Sequence, residues 1–329
     1  MNDKIFVEIN GMKQGMFLQS ENIQNPLLLF LHGGPGSPEI AFAQKYPTGL
    51  EKIFTVCWWE QRGSGISYSH RIHAHEMTIS QMISDTIAIV HYLKKRFKKE
   101  KVYVMGHSWG SLLGILTVQQ APHLFYAYIG VGQVAQQLES ERMAYSFMLD
   151  EFKKNNDIKM LRKFEKYPIG EGGEVSLPYL NVRSQGMTKL GMGFMHHSTS
   201  MTQFVFAIFF YSKYTLREKF NFPKGNDFSL ENLWPSILQI NLIRMVPELK
   251  IPVYIFQGKY DIQASYIIAK KFAMNVIAPI KGFYTFENSA HSPCFEEPEK
   301  MCTILLTDVL QRKVNLSDIL EKTDQNQHI

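Results

Sequence analysis

The pentapeptide Gly106-His107-Ser108-Trp109-Gly110 decides the fold of this chain. It has the pattern G-x-S-x-G. The apolar stretch Val102–Gly106 before it predicts a buried strand, and Ser111–Gln120 after it predicts a helix. A serine in such a strand-to-helix turn is held with its hydroxyl exposed at the top of a sheet. The helix N-terminus behind the serine favours developing negative charge, so Ser108 is the candidate nucleophile.

Short apolar runs alternate with helical stretches on both sides of this turn. The predicted strands are Ile5–Ile9, Met16–Ser20, Leu27–Leu31, Phe54–Trp59, Tyr126–Val131, Pro252–Gln257 and Gly282–Phe286. The predicted helices are Ile79–Phe97 with Thr78 as its N-cap, Ala264–Met274 and Pro298–Leu310. This alternation predicts an α/β fold with a mostly parallel sheet and helices on both faces.

The alternation stops in a helical, aromatic and methionine-rich region from about Ala135 to Val246. We therefore expect a core in two parts, residues 1–134 and 247–329, with a helical cap inserted at residues 135–246.

A serine hydroxyl needs an adjacent base to attack a carbonyl at neutral pH. Asp261 and His291 each follow a predicted strand, at the strand ends where open α/β sheets build their sites. In proteins that carry their nucleophile on such a turn, the serine, the acid and the histidine typically follow one another in this order along the chain. We predict that His291 is the general base and then the general acid, and that Asp261 fixes its tautomer.

Other histidines and acids are weaker candidates for these roles. His70, His73 and His75 form one group and His196 and His197 another, but neither combines metal-like spacing with cysteine or carboxylate partners. We therefore expect no metal and no cofactor. His32 and His107 flank the site and are expected to shape it. Asp308 and Asp318 follow His291 and break the chain order, and Glu287 lies too close to it in sequence.

A glycine-rich loop, His32-Gly33-Gly34-Pro35-Gly36, directly follows the predicted strand Leu27–Leu31. Its glycines let the backbone approach a substrate oxygen closely. We predict that the backbone N–H groups of Gly34 and Trp109 form an oxyanion hole, with Gly33 as the alternative to Gly34. A phosphate cradle is disfavoured because no Lys-Ser/Thr pair follows the loop.

Composition narrows the class of protein further. The 329 residues are 45% hydrophobic and carry a net charge of +5, which suits a globular protein. The main basic cluster, Lys94–Lys101, ends an amphipathic helix, so it predicts a solvated helix end and no nucleic-acid partner. No apolar stretch is long enough to predict a membrane span. Three cysteines without CxxC spacing favour a reducing compartment, the cytoplasm.

The glycine-rich loop, the segment Glu60-Gln61-Arg62-Gly63-Ser64-Gly65 and the pentapeptide together resemble the proline iminopeptidase-like family of α/β-hydrolases. The resemblance covers roughly residues 25–132 and 250–312, and it implies a helical cap inserted after the sixth sheet strand. Glu60 replaces the aspartate with which the family's Asp-Gln-Arg-Gly motif begins. The resemblance implies that Glu60 and Arg62 support the site without reacting.

The cap departs from this family. Proline iminopeptidases hold the substrate's α-amino group with cap glutamates, but the segment 201–215 contains no carboxylate. Four acids near the start of the cap remain candidates, although a solvated helix face is favoured for them: Glu139, Glu141, Asp150 and Glu151. Phe204, Phe209 and Tyr211 are candidate substrate-binding residues, or they pack the cap on itself.

These observations predict a serine hydrolase that acts on a small molecule or short peptide through an acyl-enzyme. A proline iminopeptidase-like peptidase comes first, because of the resemblance. A carboxylesterase, or another acyl or lactone hydrolase, is the alternative, since a buried ammonium group needs a nearby acid. A non-catalytic ligand-binding relative is the alternative from another class. The sequence does not indicate an oligomeric state.

Overall fold

A computed structural model describes residues 1–169, 175–196 and 201–319, without the side chains of Met201 and Thr202. Within these residues eight strands form one sheet in the order β1-β2-β4-β3-β5-β6-β7-β8. The strands are β1 (Asn2–Ile9), β2 (Met12–Gln19), β3 (Leu27–Leu31), β4 (Thr55–Trp59), β5 (Val102–His107), β6 (Phe125–Val131), β7 (Val253–Gly258) and β8 (Lys281–Phe286). The β1–β2 and β2–β4 pairs are antiparallel, and all other neighbours are parallel. The predicted fold class is confirmed.

Helices cover both faces of this sheet. They are α1 (Ile40–Lys45), α2 (Leu50–Ile53), α3 (Ile79–Phe97), α4 (Trp109–Gln120), α5 (Gln137–Lys154), α6 (Ile158–Phe164), α7 (Leu177–Lys189), α8 (Met201–Phe210), α9 (Leu216–Gln239), α10 (Leu242–Met245), α11 (Tyr266–Asn275), α12 (Pro293–Glu296) and α13 (Pro298–Ile304). Successive residues of β3 point to opposite faces. Leu27, Leu29 and Leu31 accordingly join one hydrophobic cluster, and Leu28 and Phe30 join the other.

Local signals explain where several elements begin and end. The Thr78 hydroxyl accepts the backbone N–H of Gln81 at 3.1 Å, so α3 begins as its predicted N-cap requires. At the C-terminal side the prediction Pro298–Leu310 is wrong in detail. The α-helix ends at Ile304 and a π-helical turn, Leu305–Val309, replaces its last part. That turn buries the carboxylate of Asp308, which accepts the Tyr284 hydroxyl at 2.9 Å.

Helices α5 to α10 occupy the interval between β6 and β7 in which the strand–helix alternation stops. Residues 170–174 and 197–200 of this interval, which include His197, lie outside the described part of the chain. The division into a core and an inserted cap stays a prediction. No helix of the described residues combines the length and the apolar character needed to cross a bilayer.

Candidate active site

Ser108 occupies the turn between β5 and α4, with φ 55° and ψ −122°. Such a backbone conformation costs a non-glycine residue about 1–3 kcal/mol, so the surrounding packing must impose it. A Cβ on Gly106 would collide with the carbonyl of Gly110, and a Cβ on Gly110 would collide with the carbonyl of Leu31. The Ser108 N–H donates to Val131 O at 2.9 Å, which ties the turn to β6. This is the turn that the pentapeptide predicts.

Asp261 lies beyond the end of β7 with its carboxylate fully used by donors. Its Oδ2 accepts His291 Nδ1 at 2.9 Å and Gln257 Nε2 at 2.7 Å. Its Oδ1 accepts the backbone N–H groups of Gln263 and Ala264, each at 2.9 Å. Burial alone would raise the pKa of this carboxyl, but His291 and the backbone donors outweigh burial and lower the pKa. The carboxylate is therefore stabilised as an anion.

His291 keeps its second ring nitrogen available. The side chain is 1% exposed, and Nε2 has no hydrogen-bond partner among the described residues. The Asp261 carboxylate accepts the proton of Nδ1, and in a neutral imidazole with that tautomer Nε2 carries the lone pair. A Cβ on Gly132 would lie 3.0 Å from His291 Nδ1, while neighbouring Val131 holds the Ser108 N–H. The end of β6 thus lies against both Ser108 and His291, although the two are not hydrogen-bonded to each other in the described structure.

The glycine-rich loop lies directly beside the serine. A Cβ on Gly33 would be 3.2 Å from the Ser108 Cβ. The Gly33 N–H already donates to Glu39 Oε1 at 2.9 Å. The backbone N–H groups of Gly34 and Trp109 have no acceptor in the described part of the chain. Of the two predicted loop donors, Gly34 is therefore the one that remains available.

Gln61 connects this loop to the turn Gly106–Gly110 that holds Ser108 (here called the elbow), and no role was predicted for it from the sequence. Its side chain donates to His32 O at 3.0 Å and accepts Trp109 Nε1 at 2.8 Å, and its backbone N–H donates to His32 Nε2 at 3.1 Å. His32 Nδ1 donates to Gly33 O at 2.9 Å. Burial lowers the pKa of His32 to about 4, so its imidazole is neutral at pH 7.

Glu60 and Arg62 flank Gln61 but do not contact the serine, Asp261 or His291. Glu60 accepts the Ile66 N–H at 2.6 Å and the Tyr214 hydroxyl at 2.5 Å, and burial raises its pKa to about 7. Arg62 is 2% exposed and pairs with buried Asp85 at 2.7 Å. These contacts hold the two residues that flank Gln61 in place, which is compatible with the predicted supporting role.

His107 touches the His291 segment from the opposite side of the elbow. Its Nε2 donates to His291 O at 3.0 Å and lies 3.3 Å from Ser292 Oγ. Its Nδ1 lies 2.8 Å from Glu39 Oε1. No role was predicted for Glu39 from the sequence. Its one signal there is that it is an acid directly before the apolar run Ile40–Phe42.

The predicted apolar substrate residues separate in the structure. Phe204 packs 5.5 Å from the ring of Phe42 and 5.9 Å from that of Phe194, whose ring is 5.8 Å from His107. Phe209 is 56% exposed on α8, and its role in substrate binding stays a prediction. Tyr211 is buried against Phe17 on β2, and its role in substrate binding also stays a prediction.

The candidate acids of the cap also separate. Glu139 and Asp150 have exposed side chains, and Glu151 pairs with Lys154 on the helix surface, as expected of a solvated face. This expectation is wrong for Glu141, which is fully buried. Its Oε1 accepts Gln137 Nε2 at 2.8 Å and pairs with Arg183. Its Oε2 is buried without a partner in the described structure.

Of the remaining histidine candidates, His196 stacks on the ring of Tyr260, the residue before Asp261, with the ring centroids 3.8 Å apart. His70, His73 and His75 are exposed, and His197 is not described. The described residues contain no group of three or more His, Cys, Asp or Glu side chains placed to hold a metal ion. A cleft of about 300 Å³ lies between the N-terminal strands and α2, and none of its lining residues belongs to the site.

Comparison with known proteins shows the family of the chain. A family model described as alpha/beta hydrolase fold matches residues 26–298. The probable aminopeptidase YbaC of Bacillus subtilis (strain 168) is 37% identical over 301 residues, which are 91% of this chain and 93% of that protein.

Two solved structures share the fold. The proline iminopeptidase of Mycobacterium smegmatis superposes with a TM-score of 0.67 at 17% identity, over 94% of this chain and 98% of that one. An esterase of Exiguobacterium antarcticum gives a TM-score of 0.59 at 14% identity, over 93% and 98% of the two chains. At such identities the likeness concerns the fold alone.

Proposed function

Because the chain belongs to the alpha/beta hydrolase fold family, we propose that it is a serine hydrolase that works through an acyl-enzyme. One observation carries the proposal: Asp261 binds His291 Nδ1 at 2.9 Å, while His291 Nε2 is buried without a partner among the described residues. A neutral histidine in this tautomer has one basic atom left, and that atom is the one a neighbouring serine requires.

The proposed reaction has two halves. Ser108 Oγ attacks the substrate carbonyl carbon and its proton passes to His291 Nε2, while the negative oxygen accepts the N–H groups of Gly34 and Trp109. The His291 imidazolium then protonates the leaving group, and the acyl group stays on Ser108. A water molecule, deprotonated by His291 Nε2, attacks the acyl carbon, and the His291 imidazolium then gives that proton to Ser108 Oγ as the acid leaves. Asp261 stabilises the imidazolium in both halves.

For the substrate we propose the N-terminal residue of a short peptide. The support is the relative named a probable aminopeptidase, which aligns with 91% of this chain. The resemblance of the motifs around Gly34, Arg62 and Ser108 to proline iminopeptidases points the same way. We also propose that neither a nucleic acid nor a membrane is a partner. The spacing of the three cysteines supports the cytoplasm as the compartment.

An ester or lactone is the second candidate substrate, and Glu141 is the observation that favours it. An ammonium group transferred into a buried site needs a carboxylate that is not already neutralised. Glu141 is the fully buried acid among the four cap candidates, and Arg183 already pairs with it. An uncharged acyl substrate needs no such group, and the aromatic surface around Phe204 suits it.

Side-by-side hydrolysis of amino-acid naphthylamides and short p-nitrophenyl esters tests the substrate. We expect turnover of the naphthylamides, above all of proline-naphthylamide, by the wild type and not by Ser108→Ala. Turnover of esters alone would reject the peptidase and support the esterase.

Labelling with a fluorophosphonate tests the alternative of a non-catalytic binding protein. We expect Ser108 to react in the folded protein. An inert Ser108 together with no turnover of either substrate class would support the binding protein instead.

A further inference from the structure

We propose that Glu39 and His107 form a buried ion pair that positions the loop of His291 against the oxyanion loop, which makes Glu39 a positioning residue. This inference rests on the proposed serine hydrolase, because it assigns the pair a role in that site. Neither residue is expected to touch the substrate. The pair joins the Gly33–Gly34 backbone to the His291 backbone. The proposed reaction needs these two segments at a fixed position relative to each other.

Three hydrogen bonds define the pair. The Gly33 N–H donates to Glu39 Oε1 at 2.9 Å, and His107 Nδ1 lies 2.8 Å from the same oxygen. His107 Nε2 lies 3.0 Å from the backbone carbonyl oxygen of His291. Glu39 is 2% exposed and His107 1% exposed, so water does not substitute for these partners. A continuous chain of contacts therefore runs from the oxyanion loop to the His291 backbone.

The chemistry of the partners determines the charges. A carbonyl oxygen only accepts, so Nε2 of His107 must carry a proton to make its 3.0 Å contact. Glu39 Oε1 accepts the Gly33 N–H, and its hydrogen bond with Nδ1 is donated either by Nδ1 to a carboxylate or by a protonated carboxyl to Nδ1. A neutral imidazole has a single N–H, whereas an imidazolium has one on each nitrogen. An imidazolium beside a carboxylate makes all three bonds, as would a neutral ring with its proton on Nε2 beside a protonated carboxyl. The ion pair is favoured of the two because a carboxyl is ordinarily a much stronger acid than an imidazolium.

The surroundings of the pair agree with this assignment. Burial alone would lower the pKa of His107, but the Glu39 charge and the His291 carbonyl outweigh burial and raise it. The other titratable groups that face the pair are His32, Asp261, His291 and Cys294. Ser292 Oγ, 3.3 Å from Nε2, shares that N–H as a second acceptor.

His32 is a second buried histidine of the site, and its hydrogen bonds differ from those of His107. It is buried to the same degree beside the same loop, but its Nε2 accepts the Gln61 N–H and its Nδ1 donates to Gly33 O. One donor and one acceptor suit a neutral ring, and burial lowers the pKa of His32 to about 4. Two buried histidines of the site therefore hold different charges because their partners differ.

Nitrogen-15 NMR of protein labelled at histidine tests the ion pair without reference to activity. At pH 8 the His107 ring, assigned by its loss in His107→Gln, is expected to show two protonated nitrogens, and His32 one. In Glu39→Gln the His107 ring is expected to have one. A wild-type His107 with a single protonated nitrogen overturns the proposal, whether or not the enzyme is active.

Kinetics tests the positioning role. A glutamine at position 39 keeps the shape but cannot hold the imidazolium, so one of the three bonds is lost. We expect kcat to fall about 10- to 100-fold with KM changed less than about twofold. The alkaline fall of kcat is expected to move to lower pH, because the raised pKa of His107 returns towards its ordinary value.

Asp308→Asn is the matched control. It neutralises a buried carboxylate that accepts the Tyr284 hydroxyl far from the elbow, so it is expected to change stability but not the pH profile. Equal pH profiles of wild type and Glu39→Gln would contradict the positioning role. An inactive, unlabelled wild type would reject the proposed function, while the NMR experiment would still decide the ion pair.

Discussion

Replacing Asp261 with asparagine changes one atom of the proposed site and removes a negative charge that four donors share. His291 Nδ1 and Gln257 Nε2 converge on one carboxylate oxygen, and the N–H groups of Gln263 and Ala264 converge on the other. An amide has a single acceptor oxygen, so its NH₂ group must face two of these donors. The backbone donors cannot move, and the NH₂ group therefore turns towards His291 and Gln257.

The expected loss of activity in Asp261→Asn follows from the tautomer of the His291 ring. An NH₂ group facing His291 Nδ1 is best accommodated when that nitrogen carries the lone pair, which moves the ring proton to Nε2. Nε2 then cannot accept the Ser108 proton. Such an exchange in a serine–histidine–aspartate site costs about 10⁴-fold in kcat, or about 5–6 kcal/mol of barrier. Stability is expected to fall by about 1–3 kcal/mol, because one donor loses its partner in the interior.

Steady-state kinetics of Asp261→Asn on whichever substrate class the wild type hydrolyses checks this prediction, with the rate of fluorophosphonate labelling as a second readout. Asp308→Asn serves as the control for loss of a buried carboxylate. A kcat within about tenfold of the wild type in Asp261→Asn would refute the assignment of Asp261 as the orienting acid.

Three further predictions concern stability. Gly110→Ala places a Cβ against the backbone carbonyl of Leu31, which cannot yield, so we expect a loss of about 3 kcal/mol or more in urea unfolding. Asp85→Asn removes the buried carboxylate that pairs with Arg62 at 2.7 Å, leaving the guanidinium a longer ion pair with Glu76 at 3.5 Å, and is expected to cost about 3–5 kcal/mol in the same assay. The lowered pKa of Asp261 stabilises the fold above pH 3.8, and this contribution is lost as the pH falls through the folded pKa. The unfolding free energy of Asp261→Asn should therefore depend less on pH below pH 4 than that of the wild type, and equal slopes would contradict this.

The elements that could be predicted from the sequence are those that a local pattern of residues determines. A strand buried on both faces is a continuous apolar run, and β3 (Leu27–Leu31) has the bounds predicted for it. An amphipathic helix with an N-cap is equally explicit, and α3 (Ile79–Phe97) also begins and ends as predicted. The π-helical turn Leu305–Val309 could not be predicted, because it depends on packing around buried Asp308 and not on periodicity.

Some residues of the candidate site could be predicted from local sequence patterns and others could not. Ser108, Asp261 and His291 could be placed from the sequence, because each follows a strand of a parallel sheet. Glu39 could not, since its partners are reached through space and no spacing pattern marks it. Gln61 lies in the motif Glu60–Gly65, but its role could not be predicted, because its partners are also reached through space. Whether an acid on a helix faces solvent, as Glu139 does, or an arginine of another helix, as Glu141 faces Arg183, depends on how the helices pack.

Mass spectrometry of the protein after reaction with a fluorophosphonate tests the central claim, that Ser108 is the nucleophile, most directly. Wild-type protein should gain one covalent adduct, located on the peptide that contains Ser108, as its hydrolytic activity is lost. Ser108→Ala should gain none and be inactive from the start. An adduct elsewhere, or full activity in folded Ser108→Ala, would contradict the account.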